Sequence, residues 1–127
     1  MLFDSSKPNK FYKDLILQCN YTRGDIWITV YNLNENQVAY VKFIQGDGYI
    51  SSASVMVDED YRNQGIATAM YMFAHELGHQ IKPSVLQSPP GQKMWKSFRA
   101  RKLPFAKETF LERLTRVIKE IIIKLGF

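Results

Sequence analysis

The chain has a single cysteine and no apolar run of membrane-spanning length. Cys19 has no partner for an internal disulfide, which favours a reducing compartment. No apolar stretch approaches the roughly 20 residues that cross a bilayer. Asp4, Lys7 and Pro8 interrupt the first ten residues, which argues against a secretory signal. From these absences we expect a cytoplasmic protein without a transmembrane helix.

The sequence also lacks internal repeats and low-complexity tracts, and its composition is that of an ordinary folded protein. Of its 127 residues, 46% are hydrophobic and 23% are charged. This length predicts one domain, residues 1–127, with room for a sizeable core. The net charge of +5 favours acidic partners such as a phosphorylated cofactor or nucleic acid, although it also fits simple solubility.

The most informative stretch, residues 50–82, predicts a strand, a turn and a helix. Residues 51–57 alternate small polar and apolar side chains, which is typical of a half-buried strand. An acidic turn follows. Apolar residues then recur three or four positions apart between Ile66 and Leu77, the spacing of a helix with one buried face. Gly78 follows the last of them, where a helix commonly ends.

The turn before this helix suits anion binding. The first N–H groups of a helix have no intrahelical acceptor, and the helix dipole makes that end positive. Gly65 has no Cβ, so an anion can approach the backbone closely, and Arg62 adds a positive charge. Ala67 and Thr68 keep the first turn open. The same residues also fit an ordinary connection between a strand and a helix.

Arg62-x-x-Gly65-x-Ala67, placed after an apolar strand, resembles motif A of the GNAT superfamily of acyl-CoA-dependent N-acyltransferases. The resemblance implies an acetyl-CoA-dependent N-acetyltransferase that transfers an acetyl group to an amine. It implies that backbone amides of the loop bind the coenzyme A diphosphate and that the strand pairs with the pantetheine arm. The cofactor-binding residues so implied are Val55, Met56, Val57, Arg62, Asn63, Gln64, Gly65, Ile66, Ala67 and Thr68.

The rest of the chain completes an α/β (α+β) fold of this kind. We predict a GNAT-like mixed, mainly antiparallel sheet with a crossover helix and a long C-terminal helix. The resemblance covers residues 12–100, and residues 104–127 are the C-terminal segment that contains the long amphipathic helix. The predicted elements are strands at residues 15–20, 25–33, 37–45, 49–57 and 81–87 and helices at residues 63–77, 92–101 and 105–125, after a loose arm at residues 1–10.

Two departures from the family concern the acceptor side. The family has one or two helices between its first two strands, but residues 21–25 leave no room for them. The chain also ends in a helix where the family usually has two more strands. The acceptor amine is therefore not specified, and a small molecule or a protein- or RNA-linked amine would fit equally.

The catalytic residues are not determined by the motif. Ser51 aligns with the glutamate base of many family members, yet a hydroxyl is a poor base, so Asp47 or a water chain is an alternative. Trp95 aligns with the tyrosine acid, and we favour core packing for it because an indole N–H is not an acid. Ser88 stands where a helix-leading asparagine is common. A non-catalytic binding protein on the GNAT scaffold is therefore an alternative function.

His75-Glu76-Leu77-Gly78-His79 is a literal H-E-x-x-H, the motif of zinc proteases. On a continuous helix both imidazoles would share one face. Gly78 is predicted to end the helix before His79, which separates the two rings. We therefore expect two surface histidines and no metal, with a zinc hydrolase as a further alternative.

The C-terminal helix has a wide apolar face and a mainly basic polar face. Our first interpretation is that it covers the sheet; the second is a homodimer contact and the third a membrane-surface helix. Glu108, Glu112 and Glu120 argue against a membrane. A short basic cluster before the helix would suit nucleic-acid phosphates. The apolar face comprises Phe110, Leu114, Val117, Ile118, Ile121, Ile122 and Leu125, and the cluster comprises Arg99, Arg101 and Lys102.

Overall fold

The computed structural model describes residues 3–84, 86–106 and 110–126, and within them it contains five strands and three α-helices. The strands lie in the order β1-β2-β3-β4-β5, and every neighbouring pair is antiparallel. The predicted fold class is confirmed. The elements are β1 (Asn9–Tyr12), β2 (Leu15–Thr22), β3 (Asp25–Tyr31), β4 (Gln37–Gln45), β5 (Ile50–Val57), α1 (Ile66–Glu76), α2 (Pro89–Ala100) and α3 (Phe110–Lys124), with 3-10 turns at Glu59–Tyr61 and Pro104–Ala106.

Alternating side chains give the sheet one strongly apolar face. Leu17, Val30 and Ala39 lie across from one another on β2, β3 and β4, and all three are fully buried. Helix α1 packs on this face through residues spaced three or four apart, among them Met70 and Phe73. Burial of apolar surface between the helix and the sheet is the main force that holds the two together.

Tyr71 of α1 is the centre of an aromatic cluster beside the sheet. Its ring lies 5.2 Å from that of Phe43, 5.8 Å from Trp95, 5.1 Å from Phe98 and 5.6 Å from Phe105, between ring centroids. Phe43 belongs to β4, Trp95 and Phe98 to α2, and Phe105 to the turn after it. The cluster therefore fixes α2 against α1 and the sheet, which sets the walls of the clefts described below.

Strand β5 is an edge of the sheet. Beyond it the described residues add one parallel bridge, between Ile50 and Ile81, with hydrogen bonds from Ile50 N to Gln80 O and from Lys82 N to Ile50 O. The prediction of a full strand at residues 81–87 is thus wrong, although its parallel direction is right. After the bridge the chain leaves the sheet, because Pro83 has no N–H to continue the ladder. No other described residue pairs with β5 on this side.

The described part of the predicted arm, residues 3–10, is less loose than predicted. Asn9–Tyr12 form β1, which pairs with β2 from Tyr12 opposite Leu15 to Asn9 opposite Gln18. The carbonyl of Pro8 accepts a hydrogen bond from Cys19 N at 2.9 Å. A four-residue strand with few apolar positions gives little periodic signal, so the sequence pattern did not reveal it.

The helices begin and end close to the predicted residues, with differences at their caps. Helix α1 begins at Ile66 rather than at residue 63, because Gly65 takes the left-handed conformation with φ +79°. Helix α2 begins at Pro89 behind Ser88, whose hydroxyl accepts a hydrogen bond from Gly91 N. The predicted helix at residues 105–125 is a 3-10 turn followed by α3, and residues 107–109 lie outside the described part.

The apolar face of α3 does not cover the sheet, so our first interpretation of it is wrong. Its described apolar side chains are each at least 38% exposed, and they do not belong to the buried core. The dimer contact and the membrane-surface helix stay predictions. Among the described residues, no helix has the length and apolarity to cross a membrane. The exposed side chains are Leu111, Leu114, Val117, Ile118, Ile121, Ile122, Ile123 and Leu125.

Truncation of α3 side chains should therefore leave the free energy of unfolding almost unchanged. Ile118 is 47% exposed, and we expect Ile118→Ala to alter that free energy by less than about 0.5 kcal/mol. The matched control is Ile28→Ala in the buried face of β3, which should cost about 2 to 5 kcal/mol. Urea denaturation of dilute protein measures both. A loss of similar size at the two positions would contradict the exposed placement of α3.

Candidate functional site

The loop between the 3-10 turn and α1 has an unusual backbone. Asn63 and Gly65 both have positive φ angles, +62° and +79°. Arg62 precedes them, and its Nε donates a hydrogen bond to the carbonyl of Val57 at 3.0 Å. This bond fixes the arginine stem against the end of β5 and leaves its terminal N–H groups for a ligand. The loop is thus held at both ends by β5 and α1.

The loop presents a row of backbone donors. Within the part of the chain that the structure describes, the N–H groups of residues 63–68 have no hydrogen-bond acceptor; the first bond of the helix start is from Ala69 N to Gly65 O, at 2.9 Å. The side chains make no cap, because the N-cap residue is glycine. A helix start of this kind has a partial positive charge, which suits an anionic oxygen.

Tyr12 explains why glycine is needed at position 65. A Cβ at this position would lie 2.6 Å from the Tyr12 hydroxyl, which donates a hydrogen bond to the carbonyl of Gln64 at 2.8 Å. Lys13 also donates to that carbonyl, at 3.3 Å, and brings another positive charge to the loop. The β1–β2 turn therefore supports the loop from behind. Sequence patterns did not indicate this contact, because it joins segments about fifty residues apart in the chain.

A first cleft, about 500 Å³ in volume, opens along the free edge of β5. Ser54, Val55 and Met56 of that strand are exposed in it, and Val57 is half-buried. The opposite wall comes from Ser84, from residues 86–88 and from α2. A strand edge offers unpaired backbone N–H and C=O groups, so an extended ligand with amide groups can pair with it.

A second cleft, about 510 Å³, lies beside the first and contains the loop. The two share Val57, Arg62 and Met94 in their walls. The far wall of the second cleft includes Arg101, whose Nη2 donates a hydrogen bond to the Thr68 hydroxyl at 3.0 Å. In the sequence Arg101 stands only in a short basic cluster, and no pattern predicts this position, because only the packing of α2 against α1 brings it there.

The candidate cofactor-binding residues thus lie around two adjoining clefts. Most of them line one cleft or both, whereas Gln64 turns its carbonyl toward Tyr12 and Lys13. The lining members are Val55, Met56, Val57, Arg62, Asn63, Gly65, Ile66, Ala67 and Thr68.

The four catalytic candidates are dispersed. Ser51 is half-buried in β5 opposite Ile44, and Asp47 is exposed in the turn before that strand; neither lines a described cleft. Ser88 lines the first cleft, but its hydroxyl caps α2. Trp95 also borders this cleft, yet it is only 2% exposed and packs in the aromatic cluster. The structure therefore does not bring these four together as a catalytic group.

A buried tyrosine near the cleft was not singled out from the sequence. Tyr71 is fully buried, and its hydroxyl has no hydrogen-bond partner among the described residues. Burial raises the pKa of Tyr71 to about 12. The nearby Ser52 side chain lowers this pKa, but its effect is smaller than that of burial. The phenol therefore stays protonated near neutral pH, and it is part of the core rather than of the cleft wall.

The H-E-x-x-H residues do not share a helical face. Helix α1 ends at Glu76, and Gly78 has φ +97°, so His79 lies beyond the helix as predicted. His79 Nε2 is 3.0 Å from the hydroxyl of Tyr21, and Glu76 forms an ion pair with Lys10 at 2.5 Å. Across the described ranges, no three His, Cys, Asp or Glu side chains cluster as metal ligands would.

Comparisons with known proteins add three findings. A family model described as the acetyltransferase (GNAT) family matches residues 2–81. A solved structure of AAC(6')-Iy in complex with the bisubstrate analogue CoA-S-monomethyl-acetylneamine is similar to 70% of this chain and 68% of that chain, with 11% identity and a TM-score of 0.44. A search of curated protein sequences gave no match.

Proposed function

Because this chain belongs to the acetyltransferase (GNAT) family, we propose that it is an acetyl-CoA-dependent N-acetyltransferase acting as one domain. The observation that carries the proposal is the loop with the first turn of α1, residues 63–68. Their N–H groups have no acceptor among the described residues, and they open into a cleft beside an edge of β5 that the described residues leave unpaired. The loop amides and Arg62 would bind the diphosphate of coenzyme A. The edge of β5 around Val55 would pair with the amides of the pantetheine arm.

This placement puts the thioester in the first cleft. The acceptor amine, once neutral, attacks the thioester carbonyl carbon and forms the new C–N bond. The attacking nitrogen releases a proton, the C–S bond breaks, and the thiolate of coenzyme A takes up a proton. Trp95 is buried in the aromatic cluster, and neither Ser51 nor Asp47 borders the described cleft walls, so we assign proton transfer to water rather than to a side chain. Positioning of the two reactants then supplies the rate enhancement.

A second candidate function is a non-catalytic protein that binds coenzyme A. The dispersal of the four catalytic candidates favours it, because binding needs the loop and the cleft but no base. The two functions share the cosubstrate and differ in turnover. Both differ from the zinc hydrolase, which would need His75 and His79 on one helical face. The end of α1 separates these two histidines.

Calorimetry and a thiol-release assay test the proposal. We expect acetyl-CoA to bind in the micromolar range, about −8 kcal/mol, and a panel of small amines and peptides to include one that releases free thiol. Thiol release without an amine serves as the background. Tight binding with no amine-dependent release would favour the binding protein. No binding of acetyl-CoA would contradict both.

A further inference from the structure

The second cleft has two arginines and no carboxylate in its described walls. Arg62 donates to a backbone carbonyl, and Arg101 donates to the neutral hydroxyl of Thr68. Within residues 3–84, 86–106 and 110–126, neither guanidinium has an acidic partner at ion-pair distance. No described carboxylate compensates either positive charge, which suits a ligand with more than one anionic group.

The two arginines stand on different walls. Arg62 begins the loop and is held at the end of β5. Arg101 follows the last residue of α2 and contacts the Thr68 hydroxyl in the first turn of α1, at the far end of the donor row of residues 63–68. The N–H groups of residues 63–68 together with Arg62 are enough donors for a diphosphate. Arg101 is thus left for a second, separate anion.

We propose that Arg101 binds the 3′-phosphate of coenzyme A and makes the protein select this carrier over its 3′-dephospho form. The inference rests on the proposed function, because it assigns one more group of the same cosubstrate. Coenzyme A has a single phosphate outside its diphosphate, on the ribose of the adenosine end. With the diphosphate on the loop, the adenosine end extends away from the first cleft, toward the wall that contains Arg101.

The guanidinium of Arg101 is already oriented for such a contact. One N–H group is held by Thr68, and the guanidinium carbon lies 5.6 Å from the centroid of the Phe98 ring. These contacts reduce the entropy that the side chain would lose on binding. The remaining N–H donors can form a two-pronged contact with phosphate oxygens.

Calorimetry with coenzyme A and with 3′-dephospho-coenzyme A tests the assignment. We expect the unmodified chain to bind coenzyme A about tenfold more tightly than the dephospho form, the size of one charge-assisted hydrogen-bond contact. Arg101→Gln should weaken binding of coenzyme A by about the same factor and leave the dephospho form unchanged. Arg101→Lys should keep part of the preference because it keeps the charge.

The matched control is Arg99→Gln, which removes an equal charge from α2. The Arg99 guanidinium lies 5.8 Å from the Trp95 ring and outside the described cleft walls, so the preference should persist. Equal weakening of both carriers in Arg101→Gln would overturn the inference, as would equal affinity of the unmodified chain for the two. Failure of the unmodified chain to bind either carrier would instead overturn the proposed function, and the inference with it.

Discussion

Replacement of Gly65 by glutamate is expected to abolish acetyl-CoA binding. The new carboxylate would stand at the donor row of residues 63–68, where we place the diphosphate. Two unit charges about 4 Å apart interact by about 1 kcal/mol in water and about 4 kcal/mol near a protein surface. Because the side chain also fills the space of the ligand, we expect the affinity for acetyl-CoA to fall by roughly a hundredfold or more. Calorimetry on the native and Gly65→Glu proteins measures the loss.

Two alanine variants separate the local strain from the charge effect. Gly24 has φ +83°, and a Cβ added there would meet no atom within 4 Å, whereas a Cβ added at Gly65 meets the Tyr12 hydroxyl. Gly24→Ala should cost about 1 to 2 kcal/mol of unfolding free energy for its left-handed backbone. Gly65→Ala should cost about 1 kcal/mol more, because the bond from Tyr12 to Gln64 must shift.

Tyr12→Phe then serves as the rescue for the alanine variant. Without the hydroxyl, the nearest ring carbon, Cζ, lies 3.8 Å from the added Cβ, an ordinary contact. The extra cost of Gly65→Ala over Gly24→Ala should disappear in this background. Retention of full acetyl-CoA affinity by Gly65→Glu would contradict the placement of the diphosphate on this loop.

We expect the second large effect at Tyr71, on the free energy of unfolding. Truncation to alanine removes the ring that contacts Phe43, Trp95, Phe98 and Phe105. Large-to-small aromatic substitutions in a core cost about 3 to 5 kcal/mol, and we expect Tyr71→Ala to fall in this range. Urea denaturation measures it. The control is Tyr21→Ala, at a tyrosine that is 57% exposed, where a similar loss would contradict the central role of Tyr71.

The hydroxyl of Tyr71 gives the same position a pH signature. Burial raises its pKa from 10.0 to about 12 in the folded chain. The unfolded chain therefore releases this proton at a lower pH than the folded chain. The stability that the neutral phenol gives the folded chain is fully present below pH 10 and is lost between pH 10 and 12. Relative to Tyr71→Phe, the unmodified chain should lose about 1 kcal/mol between pH 9 and 11. Tyr71→Phe should be at least as stable at pH 7, since its ring leaves no buried hydroxyl unpaired.

Local sequence patterns were enough to predict most of the sheet and helices α1 and α2. Strands β2 to β5 alternate apolar and polar residues between turns, and α1 repeats its apolar residues at helical spacing, so each element has its own periodic signal. Strand β1 has only four residues and no such signal. The strand predicted at residues 81–87 failed for the opposite reason, because an apolar stretch was present but Pro83 and the course of the chain kept it from pairing.

The position of α3 could not be read from its pattern. A wide apolar arc shows that a helix has one face to bury, but it does not identify the surface that buries it. We expected the sheet to be that surface, and the described side chains of α3 remain exposed.

Sequence patterns predicted only the part of the candidate site whose residues are close together in the chain. Arg62, Gly65 and Ala67 stand close together in sequence, so a short motif reveals them. Tyr12 and Arg101 reach the same loop from distant segments, through contacts that depend on how β1 and α2 pack. No spacing rule within the chain anticipates such contacts.

The simple strand order has a consequence for how the chain folds. Each strand pairs with its neighbour in sequence, so the whole sheet can form by successive hairpins that close short loops. The bond from Tyr12 to Gln64 and the bridge from Ile50 to Ile81 close much longer loops. The meander is therefore expected to form early in refolding. The loop before α1 would assemble late, and stopped-flow experiments should detect acetyl-CoA binding only after the sheet signal has developed.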